Sequence, residues 1–430
     1  MVDIKFIREN KEAIKQVAQN KNIVLDVERL LSLDETRRAL ITKMEAARAQ
    51  QKKLGKDNIE QAKELKEEQK KLELELGEIL AQYNDLMLKV PTIPSPDTPV
   101  GQNADDNKEV LTWGKIPKFS FAPKDHIQLG KDLDILDLER GAKVAGYRGY
   151  FLKNEGAQLV MAMMLYVFNK MVSRGYLPMI PPTLVKEFAL FGSGYFSGQE
   201  YNQDQDEIYQ VATRDKEVDG SGSKEKKFLV GTAEPSLLAY YSNEVLKEEN
   251  LPLRVCGFSQ CYRSEIGSYG KDTKGIYRVH EFMKIEQVIF APSDIELANK
   301  LQEEMVKLSR ELHEDLGLPY RLLQICTGDM GTGKYKMFDI EAWLPGMNRW
   351  GETGSASNFL DWQARRLNIK YIDKKGQHKF AYLLNNTALA SPRTLIAILE
   401  NYQQKDGSVK VPKVLRPYMN KIKYIKPKKK

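Results

Sequence analysis

The first ninety residues place apolar and polar side chains at helical spacing. Between Val27 and Leu88 there is no proline, and glycine occurs only at Gly55 and Gly77. Apolar residues recur every three or four positions on both sides of a break at 54–58, namely Val27, Leu30, Leu31, Leu40, Ile41, Met44 and Ala47, then Ile59, Ala62, Leu65, Leu72, Ile79, Tyr83 and Leu86. Two narrow apolar stripes joined by a short turn predict an antiparallel helical hairpin over about 27–88. Each arm of roughly 28 residues would reach about 40 Å.

Such a hairpin buries too little apolar surface to be a core, so it must project from the rest of the protein. Two roles stay open on the pattern alone: a coil for dimerisation or spacing, and an arm that reaches a distant part of a large partner. Lysines cluster toward the tip and favour a polyanionic partner, namely Lys52, Lys53, Lys56, Lys63, Lys66, Lys70 and Lys71. Interleaved glutamates weaken that inference, because mixed charge is normal on a solvated coil.

A proline-rich segment ends the hairpin. Residues 90–101, VPTIPSPDTPVG, contain four prolines and predict a stiff linker, with domains at 1–98 and 99–430. Beyond it, the pattern predicts helices at 124–142, 155–174, 234–248, 293–316 and 391–404, and strands at 254–264, 276–291, 320–326, 337–344 and 380–384. Neighbouring strands with short links indicate an α+β fold with an antiparallel sheet and flanking helices. The polar residues 202–227 are expected to form a surface insertion.

Composition narrows the class of protein. The 430 residues are 42% hydrophobic and 29% charged, without an apolar run long enough to span a membrane or a secretory signal, so we expect a cytoplasmic globular protein. Three cysteines without C-x-x-C spacing and four scattered histidines predict neither a disulfide framework nor a zinc site. A net charge of +7 permits nucleic-acid binding without requiring it, and the lysine-rich tail is equally explained as a solubilising segment.

The stretch CTGDMGTGKYKMFDI, residues 326–340, imitates a phosphate-binding P-loop. Gly328, Gly333 and Lys334 match the spacing G-x-x-x-x-G-K, but the next residue is Tyr335, a poor ligand for Mg²⁺. The motif also needs a following helix, whereas Phe338 to Trp343 alternate as in a strand. Both departures argue against an ATP-binding role for this loop, and the rest of the chain has to decide the question.

The block CGFSQCYRSEIGSYGKDTKGIYRVHEFMKIEQV, residues 256–288, is a better candidate for chemistry. Arg263 and Glu265 share one strand face, and on the second run His280, Phe282, Lys284 and Glu286 alternate on one side. An arginine can grip a phosphate through two hydrogen bonds, and a phenylalanine can stack on a base. On these residues alone, a ligand-binding platform and a surface network of ion pairs both remain open.

This block resembles motif 2 of class II aminoacyl-tRNA synthetases, and the chain as a whole resembles the bacterial-type seryl-tRNA synthetases. SRGYLPMIPP (173–182) is similar to motif 1, and GTAEPS (231–236) is similar to the T-x-E serine-binding loop. WGETGSASNFLDWQARR (350–366) and NNTALASPRTLIAILENYQ (385–403) resemble the remaining nucleotide site and motif 3. The hairpin matches the tRNA-binding arm of that family. The resemblance covers essentially the full chain.

The resemblance implies a site for ATP. By position it assigns Arg263, Ser264, Glu265, Val279, Phe282, Glu352, Thr353, Gly354, Ser355 and Arg393 to ATP binding, with Arg263 and Arg393 as the catalytic residues. In the family, the first arginine grips the α-phosphate and the second reaches the γ-phosphate. Glu352 and Ser355 match the ligands of the Mg²⁺ that accompanies ATP. Gly354 departs from the usual E-x-S-S pattern, which puts one polar contact in doubt.

The resemblance also implies the other substrates. Thr232, Ala233, Glu234, Glu286 and Thr387 match the residues that hold serine. A site that hydrogen-bonds a hydroxyl disfavours alanine, because its buried polar groups would then be left unpaired. The implied macromolecular partners are tRNA(Ser), the selenocysteine tRNA in hosts that have one, and a second copy of the chain through motif 1. In the family, each arm reaches tRNA bound across the partner subunit.

Two other functions fit the sequence less well than that of a seryl-tRNA synthetase. A related enzyme that charges a carrier protein would lack the long arm, which is present here. A catalytically silent, synthetase-like binding protein would lack Arg263, Glu265, Glu286 or Arg393, and all four are present. The activity implied by the resemblance is therefore serine activation by ATP, followed by transfer of serine to tRNA.

Overall fold

The structure is a computed structural model that describes residues 2–53, 59–196, 198, 200–213, 215–266 and 274–428, apart from the side chains of Lys53 and Ile59. By its internal contacts the chain divides into two compact units, Met1–Ile93 and Pro94–Lys430. No helix in the described ranges is long and apolar enough to cross a membrane.

The first unit contains the predicted helical hairpin. Its helices are α1 (Ile4–Glu9), α2 (Lys11–Asn20), α3 (Val27–Lys53) and α4 (Ile59–Lys89). The helices α3 and α4 run antiparallel, as shown by the Arg48–Glu73 ion pair at 3.1 Å and the Gln69–Gln51 hydrogen bond at 3.0 Å. The predicted turn at 54–58 lies outside the described residues. The apolar core of this unit lies at the base of the hairpin and includes Ile7, Ile14, Leu30, Leu33 and Tyr83.

The second unit holds the remaining elements. Its helices are α5 (His126–Asp132), α6 (Leu138–Ala145), α7 (Asn154–Ser173), α8 (Glu187–Ser193), α9 (Glu234–Ala239), α10 (Ile295–Leu316), α11 (Trp362–Leu367) and α12 (Ser391–Asn401). Its longer strands belong to one sheet. In chain order, the strands are β1 (Lys108–Trp113), β2 (Leu136–Asp137), β3 (Phe151–Leu152), β4 (Leu177–Met179), β5 (Leu184–Lys186), β6 (Tyr209–Val211), β7 (Lys227–Leu229), β8 (Val245–Lys247), β9 (Leu253–Tyr262), β10 (Glu281–Ala291), β11 (Tyr320–Gln324), β12 (Lys336–Leu344), β13 (Arg349–Asn358), β14 (Lys370–Ile372), β15 (His378–Phe380), β16 (Tyr382–Ala390), β17 (Val409–Lys410) and β18 (Tyr424–Ile425).

The main sheet has eight strands in the order β1-β11-β12-β13-β16-β10-β9-β4. Every neighbouring pair is antiparallel except β4 and β9, which are parallel. Helices α10 and α12 pack against the sheet, and their apolar side chains, such as Met305 and Leu395, join Ile285, Ile289 and Leu389 in the main core. The predicted α+β class, an antiparallel sheet with flanking helices and a helical arm, is confirmed.

Several predicted boundaries were wrong. The helix expected at 124–142 is two helices, because Leu136 leaves the helical path to pair with Leu152 in the β2–β3 ladder. The helix expected at 234–248 ends at Ala239, and residues 245–247 instead pair with β14. The strand expected to begin at residue 276 begins at Glu281. In each case tertiary pairing overrides the local pattern.

The strand β13 was not predicted. Its sequence, RWGETGSASN, lacks the apolar alternation that marks a half-buried strand, since polar and small residues occupy most positions. The polar segment 202–227 also contains regular structure, because β6 and β7 pair within a small three-stranded sheet with β5.

Candidate active site

The hairpin of β9 and β10 brings the motif 2 side chains together. Arg263 follows directly after β9, and its guanidinium carbon lies 5.9 Å from the centroid of the Phe282 ring. The main-chain N–H of Arg263 donates to the carbonyl of His280 at 3.0 Å. This bond holds the two chain segments together just beyond the paired residues of β9 and β10. The arginine and the aromatic ring therefore face one another on the same side of the sheet.

Glu265 is held in a strained and buried position. Its φ is +56°, in the left-handed region that side-chain-bearing residues rarely adopt. Its carboxylate Oε2 lies 3.3 Å from Nη1 of Arg278 and 3.5 Å from Nη1 of Arg148. Two guanidinium groups thus set the orientation of this carboxylate.

An open pocket lies on this face of the sheet. Its wall contains nine of the residues expected to bind ATP or serine, namely Arg263, Glu265, Val279, Phe282, Glu352, Thr353, Gly354, Thr387 and Arg393. It also contains Tyr277 and Lys284, which are not among the residues expected to bind ATP or serine. Ser264 is not part of the wall, and its buried hydroxyl oxygen has no hydrogen-bond partner among the described residues.

Arg393, near the start of α12, connects three parts of the pocket. Its Nη1 donates to both the main-chain oxygen and Oε2 of Glu352, each at 3.0 Å. Its guanidinium carbon lies 4.6 Å from the centroid of the Tyr277 ring, and Arg349 lies 4.8 Å from the same centroid. A planar cation can stack on a ring and donate hydrogen bonds in its plane at the same time.

A β-bulge decides which side chains of β13 face the pocket. Glu352 pairs with Glu341 and Gly354 pairs with Ile340, so Thr353 is an extra residue on β13. In a regular strand, residues three positions apart point to opposite faces, because side chains alternate. The extra residue shifts this alternation by one, so Ser355 lies on the same face as Glu352. Ser355 is then opposite Asp339, to which it donates a hydrogen bond.

The carboxyl groups of Asp339 and Glu352 have pKa values that shift in opposite directions, although burial acts on both in the same way. Burial raises the pKa of Asp339 well above its usual value, and the negative charge of Glu352 raises it further. Burial also raises the pKa of Glu352, but the charge and hydrogen bond of Arg393 outweigh it, so the net shift is downward. The two pKa values therefore shift in opposite directions because only Glu352 lies against a guanidinium group.

These residues fit a divalent cation that arrives with a phosphate ligand. The donors are carboxylate and hydroxyl oxygens, the hard ligands that Mg²⁺ prefers. The buried Oδ1 of Asp339 has no hydrogen-bond partner within the described part of the chain. Among those same residues, no group of three or more His, Cys, Asp or Glu is arranged to hold a metal ion by itself.

The residues expected to bind serine form a second polar cluster beside the pocket. The hydroxyl of Thr232 donates to Oε2 of Glu286 at 2.9 Å, and Nζ of Lys284 lies 2.6 Å from the same oxygen. All three side chains are buried. Thr387 lies opposite Glu286 in the ladder of β10 and β16. The cluster is therefore continuous with the pocket through Lys284 and Thr387, which line its wall.

Glu234, the first residue of α9, is also buried and fully bonded. Its Oε1 accepts from Gln363 at 2.6 Å, and its Oε2 accepts from the hydroxyl of Tyr195 at 3.0 Å. Burial raises the pKa of Glu234, and the nearby charge of Glu286 adds to that shift. Its neighbour Ala233 has no exposed surface and packs in an apolar cluster, so its side chain has no direct polar role.

The loop that imitates a P-loop leads into a strand. Residues 336–344 form β12, as their alternation predicted, and no helix follows Lys334. Lys334 nevertheless faces the acidic part of the site. Burial lowers its pKa, whereas the negative charges of Asp339, Glu234 and Glu352 act in the opposite direction. Its proximity to these three carboxylates could not be read from the local sequence.

Comparisons with known proteins identify relatives of this chain. The sequence model described as "Seryl-tRNA synthetase N-terminal domain" matches residues 1–94, and the one described as "tRNA synthetase class II core domain (G, H, P, S and T)" matches residues 216–402. The chain is 41% identical to the serine--tRNA ligase of Treponema denticola, with 97% of this chain and 98% of the relative covered. It is 37% identical to that of Rubrobacter xylanophilus, with 98% of each covered.

Solved structures give the same result. The seryl-tRNA synthetase of Pyrococcus horikoshii complexed with ATP is 34% identical, covers 100% of both chains and superposes with a TM-score of 0.88. The cytoplasmic serine-tRNA ligase of Naegleria fowleri in complex with AMP is 32% identical, with a TM-score of 0.86, and covers 100% of this chain and 99% of that one.

Proposed function

This chain belongs to the seryl-tRNA synthetase family, and we propose that it activates L-serine with ATP and transfers the serine to the 3′ end of tRNA(Ser). One observation carries the proposal. A pocket with two arginines, Arg263 and Arg393, adjoins a buried polar cluster built from Thr232 and Glu286. The first part suits a triphosphate, and the second suits a small molecule with an amine and a hydroxyl.

In the first reaction, the carboxylate of serine attacks the α-phosphorus of ATP, and pyrophosphate leaves. The enzyme has to bring two anions together and stabilise the charge that builds up on the phosphate oxygens. Arg263 lies next to Phe282, so an adenosine ring stacked on that phenylalanine would have its α-phosphate near the guanidinium. Arg393, held by Glu352, would neutralise the outer phosphates and cover the other face of the base.

Serine would be recognised by charge and hydrogen bonding. The carboxylate of Glu286 is positioned to bind the substrate ammonium group, with Thr232 and Lys284 holding it in place. Thr387, opposite Glu286 in the sheet, would bond the substrate hydroxyl. Alanine would leave these buried groups unpaired, which can cost on the order of 10⁴-fold in discrimination.

Glu352 and Ser355 would hold the Mg²⁺ that accompanies ATP. When bound, the ion neutralises charge on the phosphate oxygens and orients them. The bulge at Thr353 supports this assignment, because it places the two ligands on one face. Asp339, on the same face, would bond the water molecules that Mg²⁺ usually retains.

We further propose that the hairpin of α3 and α4 binds the tRNA. The described outer part of the hairpin carries exposed lysines, namely Lys52, Lys63, Lys66, Lys70 and Lys71, which are available to a partner. Lysine side chains provide phosphate contacts along a nucleic acid backbone.

The chain is also proposed to act as a homodimer through the motif 1 region. Helix α7 exposes Met161, Leu165 and Val172 on one side, with 44%, 47% and 44% of their surface accessible. The edge strand β4 adds Leu177, and Ile180 just beyond it is 80% exposed. A second copy would cover this apolar surface. Sedimentation should give a dimer, and Leu165→Glu should give a monomer.

The activity is tested by ATP–pyrophosphate exchange with each amino acid in turn. Serine should support exchange, and preferential use of another amino acid would overturn the proposed substrate. The variant Arg263→Lys should lose most of the exchange, because a point charge cannot reproduce a bidentate grip. Arg254→Lys, on the same strand but paired with Glu304 outside the site, is the matched control. Charging of a carrier protein instead of tRNA would favour the alternative function.

A further inference from the structure

A buried histidine lies behind the nucleotide pocket, against Gly275 and Ile276 of the motif 2 segment. His126 begins α5, and only 2% of its surface is accessible. Its Nε2 accepts a hydrogen bond from the main-chain N–H of Ile276 at 3.2 Å. Ile276 has no accessible surface, so without this acceptor its N–H would be buried away from water.

Glu400, near the end of α12, determines which ring nitrogen of this histidine carries hydrogen. Its Oε1 accepts from the main-chain N–H of His126 at 2.9 Å and lies 3.0 Å from Nδ1 of the same residue. Because Nε2 accepts a hydrogen bond from the N–H of Ile276, Nδ1 is the nitrogen that carries hydrogen and donates to Glu400. The other oxygen, Oε2, accepts from the N–H of Gly346 at 2.9 Å. One carboxylate therefore joins α5, α12 and the turn between β12 and β13.

The packing around His126 is closed. Gly275 has φ +73°, and a Cβ atom at that position would lie 2.0 Å from Nε2 of the histidine. A Cβ atom on Gly346 would lie 2.5 Å from the main chain of Asp125. The imidazole thus packs directly against the main chain of Gly275, where there is no room for a side chain.

The residue after Ile276 is part of the nucleotide pocket. Tyr277 lines its wall, its carbonyl accepts from Nε of Arg393 at 3.4 Å, and its ring stacks on the same guanidinium. Helix α12 carries both Arg393 and Glu400. His126 therefore connects the two elements that form the wall around Arg393: the helix through Glu400 and the motif 2 segment through Ile276.

We propose that His126, oriented by Glu400, is a positioning residue for ATP. It fixes the N–H of Ile276 and, through Tyr277, the guanidinium of Arg393 in the geometry that receives the nucleotide. Within the described part of the chain, its hydrogen bonds run to Glu400 and Ile276 and not to the serine cluster of Thr232 and Glu286. This inference rests on the proposed function for the identity of the nucleotide, and its effect should be specific to ATP.

Two substitutions separate the roles of the two ring nitrogens. In His126→Gln, the amide oxygen can reach the place of Nε2 and still accept from Ile276, although the bond to Glu400 is lost. In His126→Asn, the shorter amide can replace Nδ1 toward Glu400, but the N–H of Ile276 loses its acceptor. Losing the partner of a buried N–H is expected to raise the dissociation constant of ATP about tenfold. The control is Gln128→Ala, on the same helix, where an exposed side chain bonds only Asp132.

The experiment measures binding of MgATP by calorimetry, KM for ATP and for serine in the exchange reaction, and thermal unfolding. His126→Asn should weaken ATP binding about tenfold and leave KM for serine within about twofold, while His126→Gln should retain most of the affinity. Equal weakening of ATP and serine, or normal ATP binding by His126→Asn, would overturn the proposal. If His126→Asn unfolds near assay temperature, its ATP and serine measurements are made below its unfolding transition, with the same ATP-specific loss expected. Absence of serine-dependent exchange in the unmodified protein would instead refute the proposed function. The role of His126 would still be tested in that case, because calorimetry measures ATP binding without the exchange reaction.

Discussion

Arg393 donates to Glu352 twice, through hydrogen bonds of 3.0 Å to its main-chain oxygen and 3.0 Å to its side-chain Oε2. This relationship joins α12 to β13 and aligns the guanidinium plane over Tyr277. The arginine is thus fixed before any substrate binds, which reduces the reorganisation needed during the reaction.

Replacing Arg393 with lysine should therefore remove most of the activity. An ammonium group can keep one hydrogen bond to Glu352, but it loses the flat face that stacks on Tyr277 and on a base. We expect kcat/KM for ATP in the exchange reaction to fall about 100-fold. Arg365→Lys is the control, since Arg365 pairs with Asp361 one helical turn away on α11. Near-normal exchange by Arg393→Lys would contradict the role of the stacked guanidinium.

Gly354 occupies a position where the resemblance implies serine. A Cβ atom there would lie 2.9 Å from the carbonyl oxygen of Thr387 and 3.1 Å from Cγ2 of Ile340. The variant Gly354→Ser should push the main chain of Thr387 away and cost about 1–3 kcal/mol of unfolding free energy. KM for serine should rise as well, because Thr387 is expected to bind its hydroxyl. Gly222→Ser, where no atom lies within 4 Å of the added Cβ, is the matched control in both assays.

The hairpin can be shortened without disturbing its base. Deleting residues 41–78 and joining Leu40 to Ile79 by a short linker retains the core residues Leu30, Leu33 and Tyr83. Serine-dependent exchange should stay within about twofold, whereas charging of tRNA(Ser) should fall by about two orders of magnitude, because the phosphate contacts are lost. Efficient charging by the shortened protein would refute the tRNA-binding role.

A charge variant of the same arm tests the type of contact. Changing Lys66 and Lys70 to alanine should weaken tRNA binding and flatten its dependence on salt, because fewer counterions are released. The control changes Glu64 and Glu68 to glutamine on the same helix. An equal loss in both variants would indicate a general effect on the coil instead of phosphate recognition.

His313 makes the stability of the second unit depend on pH. Burial lowers its pKa from 6.5 to about 4, despite the hydrogen bond to the Ser309 carbonyl and the charge of Glu314. Its Nε2 lies 2.8 Å from the hydroxyl of Thr353 in the bulge. The unfolded chain binds a proton near pH 6.5 and the folded chain only near pH 4. Stability from this group is therefore complete above pH 6.5 and declines, by on the order of 3 kcal/mol, as the pH falls to 4.

Denaturant unfolding at a series of pH values from 7 to 4 measures this slope. The variant His313→Gln does not titrate in this range, so its unfolding free energy should decline less over the same interval. Identical pH dependence in the two proteins would show that His313 is not the responsible group.

The local sequence predicted the elements whose pattern is set by their own side chains. Helices α3 and α4 follow from two narrow apolar stripes, and β12 follows from the alternation of Phe338 to Trp343. The strand β13 could not be predicted this way, because its faces carry side chains suited to a ligand instead of a core. Tyr277, within the motif 2 block, and Lys334, within the loop that imitates a P-loop, were missed as parts of the site, because the local sequence does not show which distant side chains they approach.

The sequence by itself determined the α+β class and the helical arm, and through ordered motifs it led to the residues that we predict to build the site. Tertiary structure alone decided how those residues face one another. The bulge at Thr353 places Glu352 and Ser355 on one face, and no periodicity in the chain marks that extra residue. The link from Ile276 through His126 to Glu400 spans positions 150 and 274 residues apart in sequence. Contacts over such separations form only when the packed sheet and helices bring distant segments together, so local patterns cannot reveal them.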